Sequence, residues 1–420
     1  MNLFPRPART GRLRRAAART AARAALRGAA LPALLAALVM ILTAAVPAGA
    51  AATGRPLGPD AAMYPRVVRL AHNGADNGRI LTTVTGFPSG GPAGDIYGSD
   101  DGGRSFARVG RVSDPVAART GLCCTTLYEL PRRIGALSRG TLLWAGSVGQ
   151  GASDPRMSLR VWRSTDAGRS WQYLSTAAAS PNAHGLWEPE FTVAADGRLV
   201  MYYSDETDQP AHSQFLAEKS TRDGVHWSAS RAVVRSDDPA LRPGMATVRR
   251  LPTGTYVMTY EICGTGRADD CVVHLRTSRD AWHWGDPAAP GSVPTDAAGE
   301  HFAHTPTLAW SAGGGREGTL FLTGQMLVDQ NGAAAPGTGG TLFTSTSGGR
   351  GTWQAHQAPV SVSDVRNDPC PNYSPALLPS PDGHRVLEIT TDYDESGSCR
   401  AYSALGTLTH GKSLAGRTTS

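Results

Sequence analysis

Six times along the chain a β-rich apolar run follows a short turn that contains glycine. The runs resemble TYVMTYE, and each is preceded by a second extended segment on the other side of the turn. The six strand–turn–strand units are YPRVVRLAHNGADNGRILTTVTG, CCTTLYELPRRIGALSRGTLLWAGS, WEPEFTVAADGRLVMYYSDE, RPGMATVRRLPTGTYVMTYEICG, HTPTLAWSAGGGREGTLFLTG and NYSPALLPSPDGHRVLEITTD. Runs of this kind between turn residues read as strands, so the pattern predicts hairpins throughout.

A second element alternates with the hairpins. It is a polar–apolar strand, an aspartate turn, and a strand that opens with an aromatic. The turns are SDDGGRSF at 99–106, STDAGRSW at 164–171, TRDGVHW at 221–227 and SRDAWHW at 278–284. A worn copy, STSGGRGTW at 345–353, has Ser347 in place of the aspartate. Asp101, Asp166, Asp223 and Asp280 are spaced by 65, 57 and 57 residues, the period of a repeat architecture.

Two strands plus two strands make a four-stranded blade. Six blades predict an all-β, six-bladed propeller over residues 51–420, which removes the exposed sheet edges of a long β chain. No sixth aspartate turn is found. The last blade is expected to borrow a strand from the N-terminal end, near residues 55–64. The recurrence also decides what the aspartates do. One active site cannot use four copies in blades that point different ways, so they are read as turn acceptors of backbone N–H groups.

Composition changes this picture at one end. Residues 1–50 hold eight arginines and no acid, then an apolar run from Leu31 to Val46, then Ala48-Gly49-Ala50. That is the layout of a secretory signal peptide, and Arg14-Arg15 admits a twin-arginine route. A secreted, extracellular protein with no stable membrane insertion is expected. Without those eight arginines, the 41 basic residues become 33 against 35 acidic ones, near −2. The basic character therefore belongs to the leader, and no nucleic-acid partner is expected. Six cysteines in an exported chain suggest disulfides. Cys263 with Cys271, and Cys370 with Cys399, are plausible pairs. Adjacent Cys123 and Cys124 allow a vicinal bridge, free thiols or links elsewhere. No Cys/His spacing suggests zinc, and neither metal nor cofactor is expected. A monomer is expected.

Aligning the hairpins places Arg66, Trp187, Glu188, Asp205, Arg242, Tyr260 and Glu261 at or near strand ends around one mouth. Carboxylates, arginines and aromatics together suit an oligo- or polysaccharide substrate. Glu188 and Glu261 are the candidate catalytic pair, because glycosidic cleavage needs one protonated and one ionised carboxyl. Trp187, Asp205, Arg66, Arg242, Tyr260 and Tyr373 are candidate substrate-binding residues.

The aspartate turns resemble the Asp boxes, or BNR repeats, of the sialidase superfamily. GLWEPEFTVAADGRLVMYYSDE and RPGMATVRRLPTGTYVMTYE, with YPRVVRL, LYELP and GTLLWAGS, are similar to the exo-α-1,5-L-arabinanases, glycoside hydrolase family 93. That resemblance implies a retaining exo-enzyme that releases arabinobiose from linear arabinan. It implies Glu188 as general acid/base and Glu261 as nucleophile, with Glu190 the residue most easily confused with Glu188. Two rival readings remain. A sialidase would use Arg66, Arg242 and Arg366 on a carboxylate and Tyr373 as nucleophile, but ILTTVTGFPSGG offers no aspartic acid where its acid should sit. A non-catalytic glycan-binding propeller would leave the two glutamates apart or in ion pairs.

Overall fold

A computed structural model describes residues 53–408; the expected leader at 1–50 lies outside them. The six hairpins supply the two inner strands of six antiparallel sheets. The innermost strands are Ala62–Arg69, Leu122–Glu129, Leu186–Val193, Arg242–Arg250, Thr307–Ser311 and Ala376–Pro379, which define blades I to VI. Among the described residues no helix is long and apolar enough to cross a membrane.

Alternation along the strands builds the core. Successive side chains face opposite sides of a blade, so each blade packs on both neighbours. In blade III, Tyr203 joins Leu143 and Val161 of blade II, whereas Tyr202 joins Val248, Met258 and Tyr260 of blade IV. Leu308, Leu320 and Phe343 of blade V meet Val257 and Leu275 of blade IV. Leu387 and Ile389 of blade VI meet Ile80, Val84 and Tyr97 of blade I, so the circle closes. Each fully buried large apolar side chain contributes about 1.5–3 kcal/mol, and the seams between blades are where this stabilisation is concentrated.

The borrowed strand is present. Arg55 and Pro56 pair with Ser403 and Tyr402, and Leu57 N–H donates to Ala401 O at 2.8 Å. This also explains the absent sixth aspartate turn. In blades I to III and V that turn joins the third strand to the fourth. In blade VI the third strand, Cys399–Thr407, receives its outer partner from the other end of the described chain, so no such hairpin exists.

Blade IV departs from the plain four-stranded form. Beyond its third strand, Val272–Ser278, the chain makes a two-bond bridge between Leu275 and Ser292. His301–Ala303 and Met326–Val328 then extend the same sheet to five strands. The polar insert DQNGAAAPGTGG follows from this added pair.

The aspartate turns behave as local locks. Asp101 Oδ1 accepts from Arg104 N–H at 2.9 Å and Ser105 N–H at 3.0 Å. Asp166 accepts from Ser170 N–H at 2.9 Å, and Asp223 and Asp280 from His226 and His283 N–H at 2.8 and 2.9 Å. In the worn copy Ser347 instead donates to Arg350 O. All six cysteines are paired, as Cys123–Cys124, Cys263–Cys271 and Cys370–Cys399.

Candidate active site

Beside His304 of blade V, which is also left-handed, one non-glycine residue per blade takes the left-handed region at the mouth, in or just before the innermost strand. These are Tyr64, Cys124, Glu188, Met245, Thr305 and Ser374, with φ between 49° and 59°. In blades I to IV a register shift brackets the residue, between Met63 and Arg66, Cys123 and Thr126, Trp187 and Glu190, and Gly244 and Thr247. Such bulges bend the strand and re-aim one side chain. Proline follows in blades I, III, V and VI, at Pro65, Pro189, Pro306 and Pro375, where no ladder N–H is needed. A left-handed non-glycine residue costs about 1–3 kcal/mol, so neighbouring groups must hold it.

The preceding blade's hydroxyls do so. Ser147 Oγ accepts Glu188 N–H at 3.2 Å, and Ser204 Oγ accepts Met245 N–H at 3.1 Å. Ser147 and Ser204 occupy equivalent places, opposite Cys123 and Trp187 in their hairpins. In blade IV the equivalent place, opposite Gly244, holds Glu261. Its Oε2 accepts Thr305 N–H at 2.5 Å. Glu261 thus replaces a hydroxyl that caps the next bulge and brings a carboxyl to the mouth. Gly244 makes room. A Cβ there would lie 2.4 Å from Gln214 Nε2 and 2.9 Å from Ser204 Oγ.

The two glutamates are neighbours through this framework. Ser204 Oγ donates to Glu188 Oε2 at 2.6 Å, and accepts the N–H of Met245, which adjoins the residue paired with Glu261. Both carboxyls are pushed up. Burial raises Glu188 to about 7, with the Ser204 hydrogen bond opposing and the Glu206 charge adding. Burial raises Glu261 to about 8; Thr305 N–H opposes, and the charge on Glu188 adds. Glu188 is half-buried, whereas Glu261 is only 8% exposed.

Arg66, Trp187 and Tyr373 lie with the pair. Trp187 and Tyr373 pack on the cluster of Tyr64, Cys124 and Met245, which also takes in Cys123. The vicinal disulfide therefore sits among these aromatics. The Arg66 guanidinium lies 4.1 Å from the Tyr64 ring centroid and donates to Pro65 O at 2.7 Å. Its charge favours the ionised form of Glu188. Burial holds the Tyr373 phenol well above its ordinary value, and the charges of Glu188 and Glu261 push it further.

Three expected binding residues are corrected. Tyr260 is fully buried in the seam between blades III and IV, stacked on His274 with its hydroxyl on Pro290 O at 2.6 Å. It adjoins Glu261, and strand alternation turns it the opposite way. Asp205 is likewise turned away from Ser204. Its Oδ1 is taken by Thr207 N–H and hydroxyl, at 2.9 and 2.6 Å. Arg242 is near the pair but its guanidinium is engaged by Glu206, Gln214 and Ser213. It is a positioning residue rather than a free binder. Glu206 went unrecognised in the sequence although it ends the quoted YYSDE. It accepts Gly185 N–H at 3.0 Å and is also hydrogen-bonded by Trp187.

Glu190 is not interchangeable with Glu188. It is buried, pairs with Arg249 at 2.7 Å and takes the Val248 N–H at 3.3 Å. The three arginines of the sialidase reading do not converge as free groups. Arg242 is paired, and Arg366 is exposed on Asp364 at 2.9 Å. One cluster has the shape of a metal site: Glu261, Cys263, Cys271 and His304. Its two cysteines form a disulfide, so neither offers a thiolate and two ligands are too few to hold an ion.

No protein-family model matches the chain, and no curated protein matches it. Solved structures do. The α-L-arabinanase of Penicillium chrysogenum, complexed with arabinobiose, is 27% identical with a TM-score of 0.69; the match covers 86% of this chain and 99% of that one. The GH93 α-L-arabinofuranosidase of Fusarium graminearum, with arabinobiose, is 24% identical with a TM-score of 0.68, covering 85% and 97%, and shows the shared fold. A protein of unknown function from Dyadobacter fermentans is 14% identical, with a TM-score of 0.53, covering 86% and 99%. Fold and likeness together support a glycoside hydrolase built on a six-bladed propeller. Among its structural neighbours of that class are an α-L-arabinanase and a GH93 α-L-arabinofuranosidase.

Proposed function

We propose that the chain is a secreted, monomeric, retaining exo-hydrolase of α-1,5-L-arabinan. Glu188 is the general acid/base and Glu261 the nucleophile, and the aspartate turns are Asp boxes. The observation that carries this reading is the pair of carboxyls on adjoining blades at one mouth, linked through the Ser204 hydroxyl. The likeness to an arabinanase seen with arabinobiose supplies the sugar.

Exposure rather than proton affinity separates the two roles, since burial lifts Glu261 to about 8 and Glu188 to about 7. The charge on Glu188 raises Glu261, so a proton on Glu188 lets Glu261 ionise. One proton on the pair, held by Glu188, is the state that a first displacement needs. Glu188 then protonates the leaving oxygen while Glu261 attacks the anomeric carbon. Glu188 is the more exposed of the two, which suits the group that must later draw a proton from water. Glu261 is buried and fixed by Thr305 N–H, which suits a nucleophile kept from solvent. Trp187, Tyr373 and Arg66 would hold the sugar rings and their hydroxyls.

The test is product analysis on linear α-1,5-arabinan, with a sialoside and other arabinofuranosides as controls. Arabinobiose as the early product, with anomeric configuration retained, is the expected result. Cleavage of the sialoside alone, or of nothing, would overturn the reading.

A further inference from the structure

A cavity of about 880 Å³ occupies the axial channel beyond the bulges, walled by the inner strands of all six blades and the hairpins at their far ends. Five arginines and two glutamates line it. Neither glutamate balances a free arginine there. Glu129 is used up by the N–H groups of Ala71 and His72, both at 2.9 Å, and by Asn73 Nδ2 at 2.6 Å. Glu190 is paired with Arg249.

Arg69, Arg132 and Arg250, from blades I, II and IV, have no carboxylate partner among the described residues. Arg69 is half-buried, and burial together with the nearby Arg385 charge lowers it below its ordinary value. Arg132 packs over Gly197, where an added Cβ would meet its Nη1 at 2.9 Å. Arg250 has its guanidinium carbon 5.7 Å from the Tyr256 ring. Trp310 lines the same cavity; its indole N–H is spent on Glu317 O at 2.8 Å, which leaves the ring as an apolar wall. The chain beyond residue 50 carries 33 basic against 35 acidic residues, so this surplus of positive charge is a matter of placement rather than composition.

We propose that this recess is a second carbohydrate site, at the end of the channel away from Glu188 and Glu261, which binds a carboxylate-bearing sugar chain of two or three residues. Guanidinium forks match carboxylates in pairs of hydrogen bonds. An aromatic wall accepts the apolar face of a pyranose. The volume is in the range of ordinary ligand pockets, about 300–1,000 Å³.

Calorimetry on the full chain tests this with tri-galacturonate, with neutral maltotriose and with inorganic phosphate alone. The uronate is expected to bind, more weakly at high salt, and maltotriose to give no signal. The double variant Arg132→Ala/Arg250→Ala should lose at least about tenfold in uronate affinity. Its rate on neutral arabinan should be unchanged. No uronate binding, equal binding by the double variant, or binding of phosphate but not uronate would each overturn the proposal. Binding is read without catalysis, so a chain inactive on arabinan would refute the arabinanase reading and leave this one standing.

Discussion

The Ser204 hydroxyl holds Glu188 from blade III's own second strand, donating to Oε2 at 2.6 Å while accepting Met245 N–H of blade IV at 3.1 Å. One oxygen thus serves the proposed acid and the bulge beside the proposed nucleophile. Ser204→Ala removes a bond that favours the ionised form of Glu188, so that carboxyl should rise further above about 7. It should keep its proton to higher pH, and the alkaline limb of the kcat profile should move upward. The unsatisfied Met245 N–H should cost about 1–3 kcal/mol of stability. A limb that stays in place would separate Ser204 from the chemistry.

Glu261→Gln should abolish arabinan hydrolysis, by more than about 10³-fold, with the melting temperature preserved. The amide oxygen can still accept Thr305 N–H, but it cannot form a glycosyl ester. Full activity in this variant would eliminate the assignment.

Glu188→Ala separates the two roles. Loss of the acid should slow natural arabinan by about 10²–10⁴-fold. An aryl arabinoside whose phenolate leaves without a proton should be cleaved at its first step almost as fast as by the unaltered enzyme. Azide should then rescue turnover and give an azido sugar of retained configuration. Equal slowing on both substrates, with no rescue, would contradict the acid/base role. In the unaltered enzyme the pH profile should be bell-shaped. Activity falls on the acid side as the pair takes its second proton and on the alkaline side as it loses its last, so both limbs belong to the pair and bracket the window in which one proton is shared.

How far the sequence reaches is set by what has a local signature. Hairpins, aspartate turns and the borrowed strand near Arg55 were legible, because turn chemistry and strand pattern act over a few residues. The bulges were not, since nothing about a glutamate or a methionine announces a left-handed backbone. Pro65, Pro189, Pro306 and Pro375 were the available hint. The error at Tyr260 had a different source. Tyr260 and Glu261 are adjacent on one strand, and alternation allows only one of them to face the mouth. The same rule, applied to Ser204 and Asp205, would have favoured the serine. Glu206 and Arg242 found each other across 36 residues, a contact that no local pattern encodes.

Asp166→Ala should lower the melting temperature without specifically removing activity. Burial acts to raise this carboxyl, but the hydroxyl and N–H of Ser170 outweigh it and hold it below the usual range. That stabilisation is present above the ordinary aspartate value and fades as pH falls through the folded one. Removing the acceptor should cost about 1–2 kcal/mol, read as a lower melting temperature at neutral pH and a smaller gap in acid. An equally stable but inactive variant would contradict a turn-locking role.

Glu388 offers the opposite sign. It lies on the middle strand of blade VI, 2% exposed, and its Oε2 accepts Val360 N–H at 2.8 Å. Burial pushes it up to about 8 against that hydrogen bond. The native chain therefore keeps this proton while the unfolded chain releases it above its ordinary value of 4.5. Its contribution is whole below 4.5 and should decline as pH rises toward 8, by up to about 1.4 kcal/mol per unit. Glu388→Gln keeps an acceptor for Val360 and has nothing to titrate. Melting temperatures should be close at the acid end and diverge in the variant's favour toward pH 8. Parallel curves across that window would mean that Glu388 does not hold its proton in the folded chain.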